Sequence, residues 1–118
     1  MEINKADHHK NITIAKNKFI QGKYFEANEI YKKLMKSNYH SLDLIFSYAI
    51  FSKQLSNNTL AKQLFYFSIK KFPSFTNSYI LLAEMLRNEN NFDESEKILL
   101  QAKMIVSNNG DIFYNLSL

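Results

Sequence analysis

One offset, 34 residues, orders this chain. A step back of that length from Ala49, Ala61 and Phe65 lands on Ala15, Ala27 and Tyr31, and a step forward lands on Ala83, Ser95 and Leu99. Small residues therefore recur at two places in each period and a large one at a third, the mark of stacked copies of one supersecondary unit. The copies are residues 8–41, 42–75 and 76–109, and a fourth period opens at 110–118 as the first part of a repeat or a capping helix.

Each copy reads as two helices. Two glycines and one proline in 118 residues leave little punctuation for a many-stranded sheet. Asp7 can cap a first helix with Ile12, Ala15 and Phe19 on one stripe. Gly22 suits the left-handed turn that closes it. A second helix follows with Ala27, Ile30, Tyr31 and Leu34 inward and Lys32, Lys33 and Lys36 outward. Ser41 is placed to cap the third helix, which carries Leu44, Ile45, Tyr48, Ala49 and Leu55 at spacings suited to burial. Ser56-Asn57-Asn58 turns the chain into a fourth helix from about Thr59, with Ala61, Leu64, Phe65, Ser68 and Ile69 inward. That helix must stop before Pro73. Thr76 opens a third pair with Tyr79, Ile80, Leu82, Ala83 and Leu86 inward, and Asn91 with Glu94 forms a capping-box pattern ahead of Ser95, Ile98, Leu99, Ala102 and Ile105. The small positions are where helices can approach closely. Tyr31, Phe65 and Leu99 are expected to insert between the first helix of their own unit and that of the next.

Composition narrows function mostly by exclusion. A chain of this length with 46% hydrophobic residues suits one domain. The absence of cysteine removes disulfide frameworks and thiolate zinc sites, and fits a reducing, cytoplasmic compartment. Residues 1–7 lack the apolar core of a secretory signal. No uninterrupted apolar run approaches the roughly 20 residues of a membrane span. There is no phosphate-binding glycine loop, His-Glu-x-x-His or Gly-x-Ser-x-Gly, so neither enzymatic chemistry nor a cofactor is expected. Asp7-His8-His9 is the one cluster with metal-ligand chemistry, but adjacent histidines on a helix point apart and no third ligand stands at helical spacing. No metal is expected there. The net charge of +4 is concentrated as lysine in residues 1–75, which reads either as a solvated helix face or as attraction for an anionic partner.

Ala15, Gly22, Tyr24, Ala27 and Tyr31 in the first unit, Tyr48, Ala49, Ala61, Phe65 and Pro73 in the second, and Tyr79, Leu82, Ala83, Phe92, Leu99 and Ala102 in the third resemble the tetratricopeptide repeat. Departures from that pattern are Asn11 for a large apolar residue, Ser56 for the turn glycine, Asn58 for the turn aromatic, and Tyr39 and Ser107 for the proline. The resemblance implies an all-α fold, a right-handed α-solenoid of antiparallel helix pairs. It also implies a protein-protein interaction scaffold that binds a peptide or helix on the concave face lined by the first helices. The lining so implied is His9, Ile12, Lys16 and Phe19, then Asp43, Phe46, Ile50 and Lys53, then Asn77, Ile80, Glu84 and Arg87. The apolar members serve equally well as packing within or between repeats. Where some family members grip a terminal carboxylate, this chain has Ile12, Lys16, Ser47, Asn77 and Leu81, so chaperone-tail recognition is not expected. Two other functions fit the same pattern: the N-terminal arm of a larger enzyme such as a transferase, and a helical-repeat nucleic-acid binder. Phe113, Tyr114 and Leu116 offer a surface for self-association.

Overall fold

The structure, a computed structural model, describes residues 4–108. They form six helices in order: α1 (Lys5–Ile20), α2 (Tyr24–Met35), α3 (Leu42–Gln54), α4 (Asn58–Lys71), α5 (Thr76–Asn88) and α6 (Phe92–Asn108). There is no strand among the described residues. The fourth period from Gly110, with Phe113, Tyr114 and Leu116, lies outside them. Among the described residues no helix is long and apolar enough to cross a membrane.

The 34-residue period is visible in the backbone as one turn made three times. Gly22, Ser56 and Asn90 have positive φ, at 78°, 62° and 64°. Around each, the same two hydrogen bonds close the preceding helix. Lys23 N–H reaches Lys18 O at 2.8 Å, Asn57 N–H reaches Ser52 O at 2.9 Å, and Asn91 N–H reaches Leu86 O at 2.8 Å. Inside these, Gly22, Ser56 and Asn90 donate to Phe19, Lys53 and Arg87 at 3.0, 3.0 and 2.9 Å. This is the Schellman closure, and it demands a left-handed residue after the helix. Glycine meets that demand without strain, while Ser56 and Asn90 adopt it because the closure satisfies carbonyls that would otherwise be left over.

Helix starts follow local polar chemistry. Asn4, not Asp7, caps α1, its side chain accepting from Ala6 N–H at 2.7 Å. Asp7 instead places its charge in the first turn, favourable at the positive end of the helix dipole. Ser41 caps α3 through Leu44 N–H at 3.1 Å, and Asn57 caps α4 through Leu60 N–H at 3.4 Å. Phe72 ends α4 one residue before Pro73.

Each odd helix packs on the following even one, α2 on α3, α4 on α5, and α1 directly on α3. One apolar core runs through all three units, from Ile12 and Ala15 to Ile98 and Ala102. Ala15, Ala27, Ala49, Ala61 and Ala83 are buried, as their spacing demands. Tyr31 stacks on Tyr48 of the next unit, with ring centroids 4.9 Å apart, and also meets Phe51 at 5.3 Å. Tyr31 and Phe65 are 1% and 0% exposed, whereas Leu99, at the same place in the third unit, is 45% exposed. No further helix among the described residues covers Leu99. Leu55, expected inside, is exposed because it follows the last turn of α3.

Candidate partner-binding groove

The first helices of the three units form one row, tied across its surface by ion pairs between successive units. Lys16 on α1 reaches Asp43 on α3 at 2.8 Å, and Lys53 on α3 reaches Glu84 on α5 at 3.8 Å. Both pairs are partly solvated, so each contributes about 0–1 kcal/mol and chiefly fixes orientation. Phe46 and Ile50 are half-buried between these pairs, packed against the core. Phe46 presents its ring edge-on to Phe65 and Phe75, at centroid distances of 6.0 and 4.9 Å. Ile80 follows in the third unit, 38% exposed, with Asn77, Glu84 and Arg87 exposed around it. The result is an apolar strip with charged margins.

One of the expected lining residues is placed otherwise. Ile12 is 1% exposed and offers a partner no surface. The buried stripe of α1 runs His8, Ile12, Ala15, at steps of four and three, and Ile12 belongs to that inward stripe. Phe19 is half-buried, its ring engaged with Phe51 at 5.3 Å and Tyr24 at 5.7 Å. On α1 the row thus presents exposed His9 and Lys16 and, like Phe46 on α3, a half-buried ring at Phe19.

Phe75 was not among the expected lining residues. It stands at the N-cap of α5 and borders the strip through Phe46. Beside it, Leu42, Phe72, Pro73 and Lys71 enclose a notch of about 410 Å³. Its signal in the sequence was Phe72-Pro73-Ser74-Phe75, two aromatics flanking the turn proline, which periodicity treats only as a connection.

His8 and His9 diverge. His9 is exposed, while His8 is buried, 2% exposed, with Nε2 2.8 Å from Ser41 Oγ and its ring 4.6 Å from that of Tyr39. Ser41 is also the cap of α3, so His8 joins the first unit to the start of the second. Its Nδ1 is buried without a partner. Burial holds the imidazole below its usual pKa; nearby Asp43 opposes this, and His40 and His9 add to it. Below the unfolded-state pKa of about 6.5 the unfolded chain binds this proton more readily than the folded one. The stability contributed by neutral His8 is thus complete above pH 6.5 and is lost as pH falls from there towards the depressed folded value. Denaturant titrations at pH 7.5 and 5 should show a smaller acid loss for His8→Leu than for the native chain. Leucine is chosen because Leu42 occupies the same place in the second unit. An equal loss in both chains would remove His8 from the account.

The geometry defines a helical-repeat fold like that of tetratricopeptide arrays: antiparallel helix pairs stacked at one period, with first helices in a row. No protein-family model matches the sequence, and no curated protein does. Solved structures do match. One is the Yersinia enterocolitica type III secretion chaperone SycD in complex with a peptide of the translocator YopD, with TM-score 0.80 and 18% identity, covering 99% of this chain and 88% of that one. Another is PcrH in complex with the chaperone binding region of PopB, with TM-score 0.79 and 12% identity, covering 99% and 98%. PcrH from Pseudomonas aeruginosa is similar at TM-score 0.75 and 12% identity, covering 98% and 96%. At these identities the likeness is one of fold.

Proposed function

We propose that this chain is a peptide-binding scaffold acting in the cytoplasm, which holds an extended or helical segment of a client protein in the groove of its first helices and performs no chemistry itself. The observation that carries this is the strip of Phe46, Ile50 and Ile80, bordered by Lys16–Asp43 on one side and Lys53–Glu84 on the other. An apolar strip with fixed charges at its margins suits an amphipathic segment, with apolar anchors for affinity and ion pairs for direction. The fold likeness to SycD and PcrH, whose structures hold peptides of YopD and PopB, supports a chaperone-like version of this role. The notch at Phe75 adds a place for one apolar anchor at the edge of the strip. In this reading the working units are residues 8–41, 42–75 and 76–109.

The test uses the double variant Phe46→Asp/Ile50→Asp and a panel of amphipathic peptides selected for binding to the native chain. Two charges set into the strip should weaken binding at least about tenfold, some 1.4 kcal/mol, with helical content by circular dichroism retained. Undiminished affinity in a folded double variant would reject the groove.

A further inference from the structure

Three positions near the first turn break the rule the repeat sets for itself. Where unit one has Ile20, the other units have Gln54 and Asn88; where it has Phe25, they have Thr59 and Asp93. Where unit two has Leu55, its neighbours have Gln21 and Glu89. Stacking cannot require apolar side chains at these places, because the polar units stack in the same way. Burial does not claim them either. Ile20 and Phe25, at 81% and 77%, are the most exposed large hydrophobic residues among those described.

The departures stand at helix ends around the first turns: Ile20 closes α1, Phe25 lies in the first turn of α2 and Leu55 follows the last turn of α3. Between the start of α2 and the end of α3 lies a cleft of about 300 Å³. Tyr24, Phe25 and Leu55 wall it, buried Phe51 closes it on the core side, and Asn28 and Asn57 give it an amide rim. A protruding aromatic ring thus stands beside a cleft roomy enough to take one, on the same surface.

We propose that this surface is the contact between two copies of the chain related by a two-fold axis, each Phe25 entering the other's cleft. A protrusion and a matching recess on one patch are what an isologous contact needs, since a two-fold rotation brings each against the other. The charges agree. Lys18 and Glu26 neutralise each other at 2.9 Å beside the patch, leaving Lys23 as the extra charge, so like patches meet without strong repulsion. An anionic membrane would be met better at the other ends of α2 and α4, where Lys32, Lys33, Lys70 and Lys71 lie. The size is modest. Ile20, Tyr24, Phe25 and Leu55 expose roughly 400 Å² of apolar side chain per copy, and with the polar rim the pair approaches the lower end, about 1,200 Å² in total, of specific interfaces. The dimer is accordingly weak and depends on concentration.

Sedimentation equilibrium of the full chain, from low micromolar to several hundred micromolar, tests this. The native chain should pass from monomer to dimer over that range, and Phe25→Asp should raise the dissociation constant at least about tenfold. Phe46→Asp, in the groove, should leave it unchanged, which separates this contact from the peptide-binding reading. Phe25 is so exposed that its Asp variant should keep the native melting temperature, and a melting curve verifies this. A native chain that stays monomeric throughout, or a dimer indifferent to Phe25→Asp, overturns the proposal. Sedimentation with phosphatidylserine vesicles forms a second arm: Phe25-dependent vesicle binding by a monomeric chain assigns the patch to a membrane and likewise overturns the dimer.

Discussion

Phe65→Ala should lower the unfolding free energy by about 3–5 kcal/mol, a large share of the 5–15 kcal/mol that holds a typical domain together. Phe65 is fully buried on α4, its ring 6.0 Å from that of Phe46 on α3. Removing the ring withdraws apolar surface from the core and leaves a cavity that helices fixed on both sides cannot collapse to fill. Leu99→Ala supplies the internal control, because Leu99 has the same repeat position but is nearly half exposed. Its truncation should cost roughly 1 kcal/mol, in proportion to the smaller area withdrawn from water. Urea titration of the three chains checks both figures. If Phe65→Ala and Leu99→Ala were equally destabilising, the burial of position 65 would not be what sets its weight in the core.

Features tied to the period were legible in the sequence. The small and large positions, the cap at Ser41, the end of α4 before Pro73 and the turn at Gly22 each depend on a local pattern that repeats or on one residue's backbone chemistry. The turns at Ser56 and Asn90 show the limit of reading residue types. Neither is glycine, yet both take the left-handed conformation, because the closing hydrogen bonds are set by the helix end and not by the side chain. The groove was less legible. Residues 12, 46 and 80 share one repeat position, but Ile12 is buried, Phe46 half-buried and Ile80 exposed. Periodicity predicts equivalence there, while burial depends on what the neighbouring units lay over each residue. The ion pairs Lys16–Asp43 and Lys53–Glu84 were out of reach for the same reason, since they arise from the offset between successive first helices. The burial of His8 had no period-based signal, because its counterparts are Leu42 and Thr76.

Ala49→Phe should destabilise the array by about 1–3 kcal/mol or more, by the opposite route of overpacking. Ala49 is fully buried on α3, and Ala61, twelve residues on, is its fully buried counterpart on α4. How closely such a pair approaches is measured in the third unit, where Ser95 Oγ on α6 donates to the backbone carbonyl of Ala83 on α5 at 2.7 Å. A two-atom side chain already spans that gap, so a phenyl ring at position 49 has nowhere to go without parting the helices. Parting them would also disturb Tyr48 and Phe51, through which α3 holds Tyr31 of the first unit. The same geometry makes a contrasting prediction for the facing position. Ala61→Ser should be tolerated within about 1 kcal/mol, because its hydroxyl can donate to the carbonyl of Ala49 as Ser95 donates to that of Ala83, leaving no buried polar atom unpaired. Urea midpoints for the two variants and the native chain decide the matter. Large losses for both substitutions would mean that helix separation in the second unit differs from that in the third, and a mild effect of Ala49→Phe would mean that small residues do not set the spacing of the array.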